Sequence, residues 1–565
     1  MRYNLARAYA FVHARAKQLA AGAFYTIAAA VTVWGLLVML RGQLPDHADG
    51  LWVVSFAHDV LHGIPLRGWR LPGAPVYFPE LFSVLVSSGL GFGTRSSLLI
   101  HAVCSWLLLA GGIYWGLRLG GVGVARALRI GFAVLLVYVL LHSGSSLLQP
   151  FEYPFSHGGV VLVGFFGLLY IAHGLERGFE LRAWLVAVFF LGLSCASDRA
   201  ILAQFVAPAL LVVMMFLALS AGLRHRLFWA LGLLMLAPLL GQLTTVLIRW
   251  SIGVSPGGYH SRYGWVRSAR TLLRVYDDLQ HLALDRPLLA ASVLLPVLFL
   301  SWRALAAVCA GVRSRRAGAS NGGSVTAESW LSCAGIAVLV STLGAVVAAN
   351  VWDGPASFRY LLPVFLLPLA LGVIVAGPSH LRLGSGWARL FELTLLFLLV
   401  LVATRTERRI PRRLATLDSP SRACLDSYLT EAGLYAGYAE YWSARPTMLL
   451  GQAGVTLAQV TGRLAPKWWA DNRFWYTRGF SSGRDRPRFS FVITQRLDVR
   501  WLGERFGPPR VEHHCFGFEV WVYDRPEDLE FRNYLRSGVA RATTATGGWW
   551  SVHRRTMQRN WRQSS

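Results

Sequence analysis

The stretch Phe24–Leu40, FYTIAAAVTVWGLLVML, carries no charge and runs into a loop that holds Asp46, Asp49 and Gly50. Together with the residues just before it, this segment is long enough to cross a bilayer as a helix. No small-residue cleavage site follows it before Arg41, which argues against a cleavable signal peptide. Carboxylates this close to the end of a membrane helix lie at the lipid–water boundary, where burial and hydrogen bonds can tune their pKa and orientation.

The rest of the chain repeats the apolar pattern. Of its 565 residues, 54% are hydrophobic, and the mean hydropathy of +0.45 is higher than a soluble domain carries. We therefore predict a mainly α-helical fold: a polytopic transmembrane bundle of about eleven spans, followed by a small C-terminal α/β domain. The predicted spans are 22–40, 98–117, 130–148, 158–174, 183–197, 199–220, 227–248, 287–308, 330–349, 360–377 and 388–404.

The net charge of +26 comes almost entirely from arginine, since Lys17 and Lys467 are the only lysines. Such a bias is typical of a GC-rich bacterial genome. The basic residues lie mostly in short loops beside spans, so we expect no nucleic-acid partner. Arg2, Arg7 and Arg15 precede the first span and predict a cytoplasmic N-terminus. Basic loops between later spans agree, and the count predicts a multi-pass bacterial inner-membrane protein with a periplasmic C-terminal domain.

Two domains are predicted, a transmembrane domain over 1–404 with a long first periplasmic loop (41–97) and a periplasmic α/β domain over 405–565 with a basic tail. Within the second domain, 425–432 and 499–506 read as helices, 489–494 as a buried strand and 511–523 as a strand or hairpin. Cys424 and Cys515 both lie in this domain, and an oxidising periplasm would permit a disulfide between them.

Asp46 and Asp49 are the leading catalytic candidates. Apolar residues at Leu51, Val54 and Phe56 predict an amphipathic helix in the membrane interface directly after them, although simple packing within the membrane domain explains the same residues. Aspartate is also a good helix N-cap, so capping is the simpler interpretation of Asp49. Capping and catalysis are compatible, because a capping carboxylate is rigidly positioned.

Other polar residues are predicted to lie on the same outer face. Arginine binds phosphate through two parallel hydrogen bonds, so basic residues there suit a lipid phosphate, although bulk headgroup contact or a snorkelling ion pair explains them equally well. The candidates for binding the substrate or its lipid phosphate are Glu152, His157, Asp198, Arg199, His260, Arg262, Asp353, Arg359 and Tyr360.

Several common sites have no counterpart in the sequence. No glycine-rich nucleotide loop follows a strand, no HExxH or paired CxxC indicates zinc, and no GxSxG elbow is present. No ligand spacing demands a metal, but Asp198, Glu152 or Asp353 could orient a sugar or bind a divalent ion such as Mg²⁺ or Mn²⁺. Carboxylates, arginines and histidines on one face suit acid–base chemistry on a lipid phosphoester.

Five segments resemble the GT-C superfamily, the integral-membrane glycosyltransferases that use polyprenyl-phosphate sugars, such as aminoarabinose and protein-mannose transferases. They are Asp49–Gly63 (DGLWVVSFAHDVLHG), Pro75–Pro79 (PVYFP), Ser197–Arg199 (SDR), Asp353–Pro363 (DGPASFRYLLP) and Gly437–Arg445 (GYAEYWSAR). In those relatives the leading aspartate is usually followed by glutamate, whereas this chain has Gly50, with Asp46 three residues before Asp49.

The resemblance implies transfer of a hexose or pentose, with inversion, from polyprenyl phosphate to a periplasmic glycan, lipid or protein acceptor. Asp49 would then be the general base, and Arg359 would stabilise the departing phosphate together with Arg262 or His260. A lipid-linked-sugar transporter or flippase is an alternative, although polar residues cluster at one face and no internal repeat is clear. An O-antigen-type ligase or polymerase is another, although its large periplasmic loop usually lies between spans.

Overall fold

The computed structural model describes residues 48–142, 157–220, 223–252, 255–256, 265–316, 325–352, 354–377, 420–467, 469–472, 474–475 and 489–523. The predicted spans 22–40 and 388–404 and the predicted domain boundary near residue 405 lie outside them. So do the candidate residues Asp46, Glu152, His260, Arg262 and Asp353.

Helices dominate the described chain, as predicted. The helices are α1 (Ala48–Leu61), α2 (Phe82–Gly89), α3 (Thr94–Leu119), α4 (Val124–His142), α5 (Gly158–Arg177), α6 (Leu181–Ser197), α7 (Ala207–Leu219), α8 (Arg224–Ile252), α9 (Trp265–Asp285), α10 (Pro287–Arg316), α11 (Ala327–Ala349), α12 (Leu362–Ala376), α13 (Pro420–Glu431), α14 (Tyr441–Leu450) and α15 (Val499–Phe506). A π-helical segment, Leu202–Val206, extends α7, and a 3₁₀ segment, Pro355–Leu361, precedes α12.

Seven of the described helical segments are long and apolar enough to cross a membrane, and α6 is a shorter apolar helix. Together with α4, these helices coincide with nine of the predicted spans, although α4 begins at Val124 rather than at residue 130. Leucine, valine and phenylalanine side chains of these helices form one continuous buried core. The chain is therefore a multi-pass membrane protein. A helix can cross the hydrocarbon because its backbone N–H and C=O groups are hydrogen-bonded to one another within the helix.

The C-terminal unit is built around a five-stranded sheet. Its strands are β3 (Ala436–Glu440), β4 (Thr456–Val460), β6 (Phe491–Ile493), β7 (Val511–Cys515) and β8 (Phe518–Val522), in the order β4-β3-β6-β8-β7. The strand β3 pairs in parallel with β4 and β6, whereas β8 pairs antiparallel with β6 and β7. Residues of α13 and α14 cover one face and residues of α15 the other. The predicted small α/β domain is confirmed in its fold class.

A second, three-stranded sheet joins distant parts of the chain. Its order is β2-β1-β5, with β1 (Trp69–Leu71) in the first loop, β2 (Ser255–Pro256) after α8 and β5 (Asp471–Asn472) in the C-terminal unit. Apolar residues of the first loop share a buried core with residues of α14 and with Trp475. The first loop and the C-terminal unit therefore pack as one body against the bundle.

Candidate active site

Asp49 lies in the first turn of α1, where the partial positive charge of a helix N-terminus favours a carboxylate. The helix begins at Ala48, one residue before it. One carboxylate oxygen accepts a hydrogen bond of 2.5 Å from the hydroxyl of Tyr441, and the other lies 3.9 Å from Nη1 of Arg359. The side chain of Asp49 is 21% exposed and that of Arg359 is 31% exposed, so both remain accessible to a ligand.

The helix α1 is held in place by packing against other segments of the protein. It packs against α2 and α14, and apolar residues on all sides of it, among them Leu51, Trp52, Val54 and Phe56, are buried. Our prediction of an amphipathic helix lying in the interface is therefore wrong. The apolar positions form no single stripe, and a helix that is apolar around its circumference is buried by protein on several sides.

Arg359 and Tyr360 enter the site from the 3₁₀ segment that precedes α12. Nη2 of Arg359 donates a hydrogen bond of 3.2 Å to the Tyr360 hydroxyl, and the guanidinium lies 5.0 Å from the centre of the Tyr360 ring. The backbone carbonyl of Tyr360 accepts a bond of 3.0 Å from the side-chain amide of Gln204. The arginine is thus held beside Asp49 by an aromatic ring whose own backbone is tied to the bundle.

Tyr441 is contributed by the C-terminal unit, at the first position of α14. Burial, reinforced by the negative charge of Asp49, raises the pKa of the Tyr441 hydroxyl well above its ordinary value, so it remains a proton donor to Asp49. Lys467 lies over the Tyr441 ring, with its ammonium 4.9 Å from the ring centre, and pairs with Glu440 at 2.8 Å. These contacts fix the direction of the Tyr441 hydroxyl.

A buried polar cluster lies behind Tyr360. The His157 ring is 5.1 Å from the Tyr360 ring, and its Nδ1 is hydrogen-bonded to Oδ2 of Asp198. The other carboxylate oxygen of Asp198 accepts a bond of 2.9 Å from the backbone N–H of Ala200. His157 directly precedes α5 and Asp198 directly follows α6, so these two side chains meet at the same end of the bundle as Arg359.

Glu80 borders this cluster and is itself buried. Its Oε1 accepts a bond of 2.8 Å from the backbone N–H of Gly159. Burial is the main cause that raises the pKa of Glu80 to about 7; the Gly159 N–H opposes the rise, and the negative charge of Asp198 adds to it. A Cβ at Gly159 would lie 2.4 Å from Oε1 of Glu80 and 2.3 Å from Cδ of Pro79, so only glycine allows this approach.

The PVYFP loop is seated on the turn that carries Asp198. The backbone N–H of Val76 donates to the carbonyl of Ser197 at 3.1 Å, and that of Phe78 donates to the Ser197 hydroxyl at 2.8 Å. Val76 has a left-handed backbone, with φ of 40°, which is rare for a β-branched residue. Two of the segments that resemble GT-C enzymes therefore contact each other directly.

Of the predicted site residues within the described ranges, the structure joins Asp49, Arg359, Tyr360, His157 and Asp198 into one connected set. Arg199 is exposed, in contrast to its buried neighbour Asp198, which bonds to His157.

Tyr441, Glu80 and Lys467 were not predicted. Tyr441 lies within the GYAEYWSAR segment and Glu80 directly follows PVYFP, so each lies in or beside a segment already singled out in the sequence. No signal in the sequence indicated Lys467.

Two groups of side chains within the described residues bring three potential metal-ligand atoms within 4.8 Å of one another: Cys424, His513 and Cys515, and Glu512, His514 and Glu519. Cys424 and Cys515 form a disulfide, as the sequence permitted, so the first group offers no thiolates. Both groups belong to the C-terminal unit and neither includes a residue of the candidate active site. A divalent ion at Asp198 stays a prediction.

Comparison with known proteins matches the sequence to no protein-family model and to no curated protein. Among solved structures, the chain is similar to the Archaeoglobus fulgidus oligosaccharyltransferase, a crystal structure described as a complex with Zn and sulfate. The likeness covers 87% of this chain and 73% of that one, with 11% sequence identity and a TM-score of 0.43. At that score it carries no assignment of function.

Proposed function

We propose that this chain is a membrane glycosyltransferase that takes a sugar from a polyprenyl-phosphate donor and passes it to a hydroxyl-bearing acceptor. The observation that carries the proposal is the contact between a partly exposed carboxylate and a partly exposed guanidinium, Asp49 and Arg359, at one end of a membrane bundle. Transfer from a lipid phosphate needs these two groups: one that accepts a proton and one that stabilises a departing phosphate.

In the proposed reaction the acceptor oxygen attacks the anomeric carbon of the sugar on the face opposite the phosphate. The proton of the acceptor hydroxyl passes to the carboxylate of Asp49 as the new carbon–oxygen bond forms. The bond between the anomeric carbon and the phosphate oxygen breaks, and the phosphate leaves with the electron pair. Arg359 and the Tyr360 hydroxyl bind the charge that develops on that oxygen, and the anomeric configuration is inverted.

Donor binding would also open the site to the acceptor. The anionic phosphodiester of a donor competes with Asp49 for Arg359, whose Nη1 lies 3.9 Å from the carboxylate. If Arg359 moved towards the phosphate, the carboxylate oxygen that faces it would become accessible to the acceptor hydroxyl.

His157, Asp198 and Glu80 are proposed as positioning residues. They lie behind Tyr360 and are buried, so they would act through the orientation of Tyr360 and Arg359 rather than on the sugar. The reaction would take place on the periplasmic side of a bacterial inner membrane, with a glycan, lipid or protein acceptor. Roles for Asp46, Glu152, His260, Arg262 and Asp353 stay predictions.

The test is Asp49→Asn, assayed in proteoliposomes with a radiolabelled polyprenyl-phosphate sugar and an acceptor extract. Asparagine can still accept the Tyr441 hydrogen bond but cannot take the proton, so kcat should fall by roughly 10²- to 10⁴-fold. Asp277→Asn, an exposed aspartate on α9, is the matched control and should retain activity. Wild-type turnover by a folded Asp49→Asn variant would reject Asp49 as the base.

A second measurement separates transfer from transport. Sugar released from the lipid and bound covalently to an acceptor indicates a transferase. Movement of intact lipid-linked sugar between leaflets without its consumption would instead support the flippase alternative. A requirement for a diphosphate donor, with no use of a monophosphate donor, would favour an O-antigen-type ligase.

A further inference from the structure

The helix α9 lies between the membrane helices α8 and α10 along the chain and has three different faces. Thr271 and Val275 lie on a face buried against the bundle, where α9 contacts α10 and α11. A second face is apolar and exposed. It comprises Val266, Ala269, Leu272, Leu273 and Tyr276.

The third face of α9 is charged, and its N-terminal half is basic. Arg267, Arg270 and Arg274 follow one another at spacings of three and four residues, so they form one row along the helix, and all three are exposed. Asp277 and Asp285 continue the row at its other end, so the positive charge is confined to the first half. Among the residues that the structure describes, none of the three guanidinium groups forms an ion pair.

Hydrogen bonds fix α9 at the membrane boundary. Thr271 bonds to Asn350, and Asp278 accepts a bond of 2.7 Å from the Trp352 indole. Asn350 directly follows the membrane helix α11, and Trp352 lies two residues beyond it. The helix α9 itself connects the end of α8 to the start of α10, two further membrane helices, so it lies where the spans leave the hydrocarbon.

We infer that α9 binds the phosphate headgroups of anionic phospholipids in the surrounding bilayer. The exposed leucines and Tyr276, whose exposed fraction is 61%, would otherwise face water, which is unfavourable for so large an apolar surface. A helix with an apolar face beside a basic face lies with the first in the acyl chains and the second among phosphates. We favour a bilayer phospholipid over the isoprenoid donor as the ligand because the exposed apolar and basic residues extend along the whole N-terminal half of the helix. Several phospholipids together would cover this surface, whereas a single isoprenoid chain would not.

The test is native mass spectrometry of the full-length protein in detergent, titrated with phosphatidylglycerol and, separately, phosphatidylcholine. The triple variant Arg267→Gln, Arg270→Gln, Arg274→Gln should bind phosphatidylglycerol about tenfold more weakly than the wild type, with binding of phosphatidylcholine unchanged. The control removes equal charge from the C-terminal unit with Arg463→Gln, Arg500→Gln and Arg505→Gln and should bind like the wild type.

Two further arms make the result decisive. The corresponding triple lysine variant keeps the positive charge and should retain most of the binding; a loss as large as that of the glutamine variant would overturn the electrostatic basis. Farnesyl phosphate is the third ligand. If the glutamine variant lost farnesyl phosphate binding while phosphatidylglycerol binding stayed unchanged, α9 would be a donor site and the inference would be wrong. Thermal unfolding of each variant confirms that it is folded, and no arm depends on glycosyl transfer.

Discussion

Asp59 is a buried carboxylate whose removal should loosen the first loop from the C-terminal unit. It is fully buried in α1 and accepts hydrogen bonds from the Trp69 indole at 2.8 Å, the Trp475 indole at 3.0 Å and the Asn472 side-chain amide at 2.6 Å. Trp69 belongs to the first loop, whereas Asn472 and Trp475 belong to the C-terminal unit. Asp59→Ala removes the shared acceptor of all three groups.

The size of the expected destabilisation depends on the hydrogen-bond donors that Asp59→Ala leaves without this acceptor. Asn472 keeps a second acceptor, the carbonyl of Pro65 at 3.3 Å, so the indole N–H groups of Trp69 and Trp475 are affected most. A buried donor without a partner costs about 1–3 kcal/mol. Removing the carboxylate also removes its own cost of burial, which offsets part of this penalty. We expect Asp59→Ala to lower the free energy of unfolding by about 2–4 kcal/mol.

A double-mutant cycle with Trp475→Phe isolates the indole bond. Trp475→Phe removes the indole N–H but keeps an aromatic ring. It should lower the free energy of unfolding by less in the Asp59→Ala background than in the wild type, with a coupling energy of about 1–2 kcal/mol. Unfolding of the purified chain is followed by near-ultraviolet circular dichroism in detergent, with the exposed Asp277→Ala as the control. Strictly additive effects of the two substitutions would refute the idea that Asp59 holds the two parts together.

Three more outcomes are expected. Because burial raises the pKa of Glu80 to about 7, this carboxyl group keeps its proton in the folded protein but loses it in the unfolded chain between pH 4.5 and 7, so its contribution to stability should fall as pH rises through that window. In Glu80→Gln this contribution is absent, so the unfolding temperature of the variant should rise relative to that of the wild type from pH 5 to 8. Reducing the Cys424–Cys515 disulfide should destabilise the C-terminal unit by about 2–4 kcal/mol, measured by unfolding with and without reductant. Gly159→Ala should cost about 1–3 kcal/mol through its clash with Glu80, whereas Gly167→Ala in the same helix, where a Cβ meets nothing within 4 Å, should be neutral or stabilising in the same unfolding assay.

The membrane helices could be predicted from the sequence because length and hydropathy alone define them. The helix at Val499–Phe506 was predicted with its observed bounds, since Gly507 and two prolines end it. The strands β3 and β4 were not predicted. Both are buried on each side, as parallel strands are, and they therefore lack the alternation of apolar and polar residues that reveals a strand.

The candidate site was only partly predictable. Asp49 was found because it follows a predicted membrane span, and Arg359 because it begins an apolar helical segment, so each had a local signal. The bond between Asp49 and Tyr441 joins residues 392 positions apart, and no local pattern encodes such a contact. Glu80 likewise owes its raised pKa mainly to burial, with a smaller contribution from the negative charge of Asp198, and both arise only after the bundle has packed.

The stability of the α1–α14 pair and the geometry of the candidate site are coupled through two rigid helices. The helix α1 carries Asp49 near its start and Asp59 near its end. The helix α14 carries Tyr441 and, one turn later, Arg445, whose guanidinium stacks 4.4 Å from the Trp475 ring that bonds to Asp59. Loosening Asp59 would therefore shift α14 relative to α1 and move the Tyr441 hydroxyl away from Asp49. A variant at Asp59 should lose activity along with stability, although Asp59 itself lies ten residues from the proposed base.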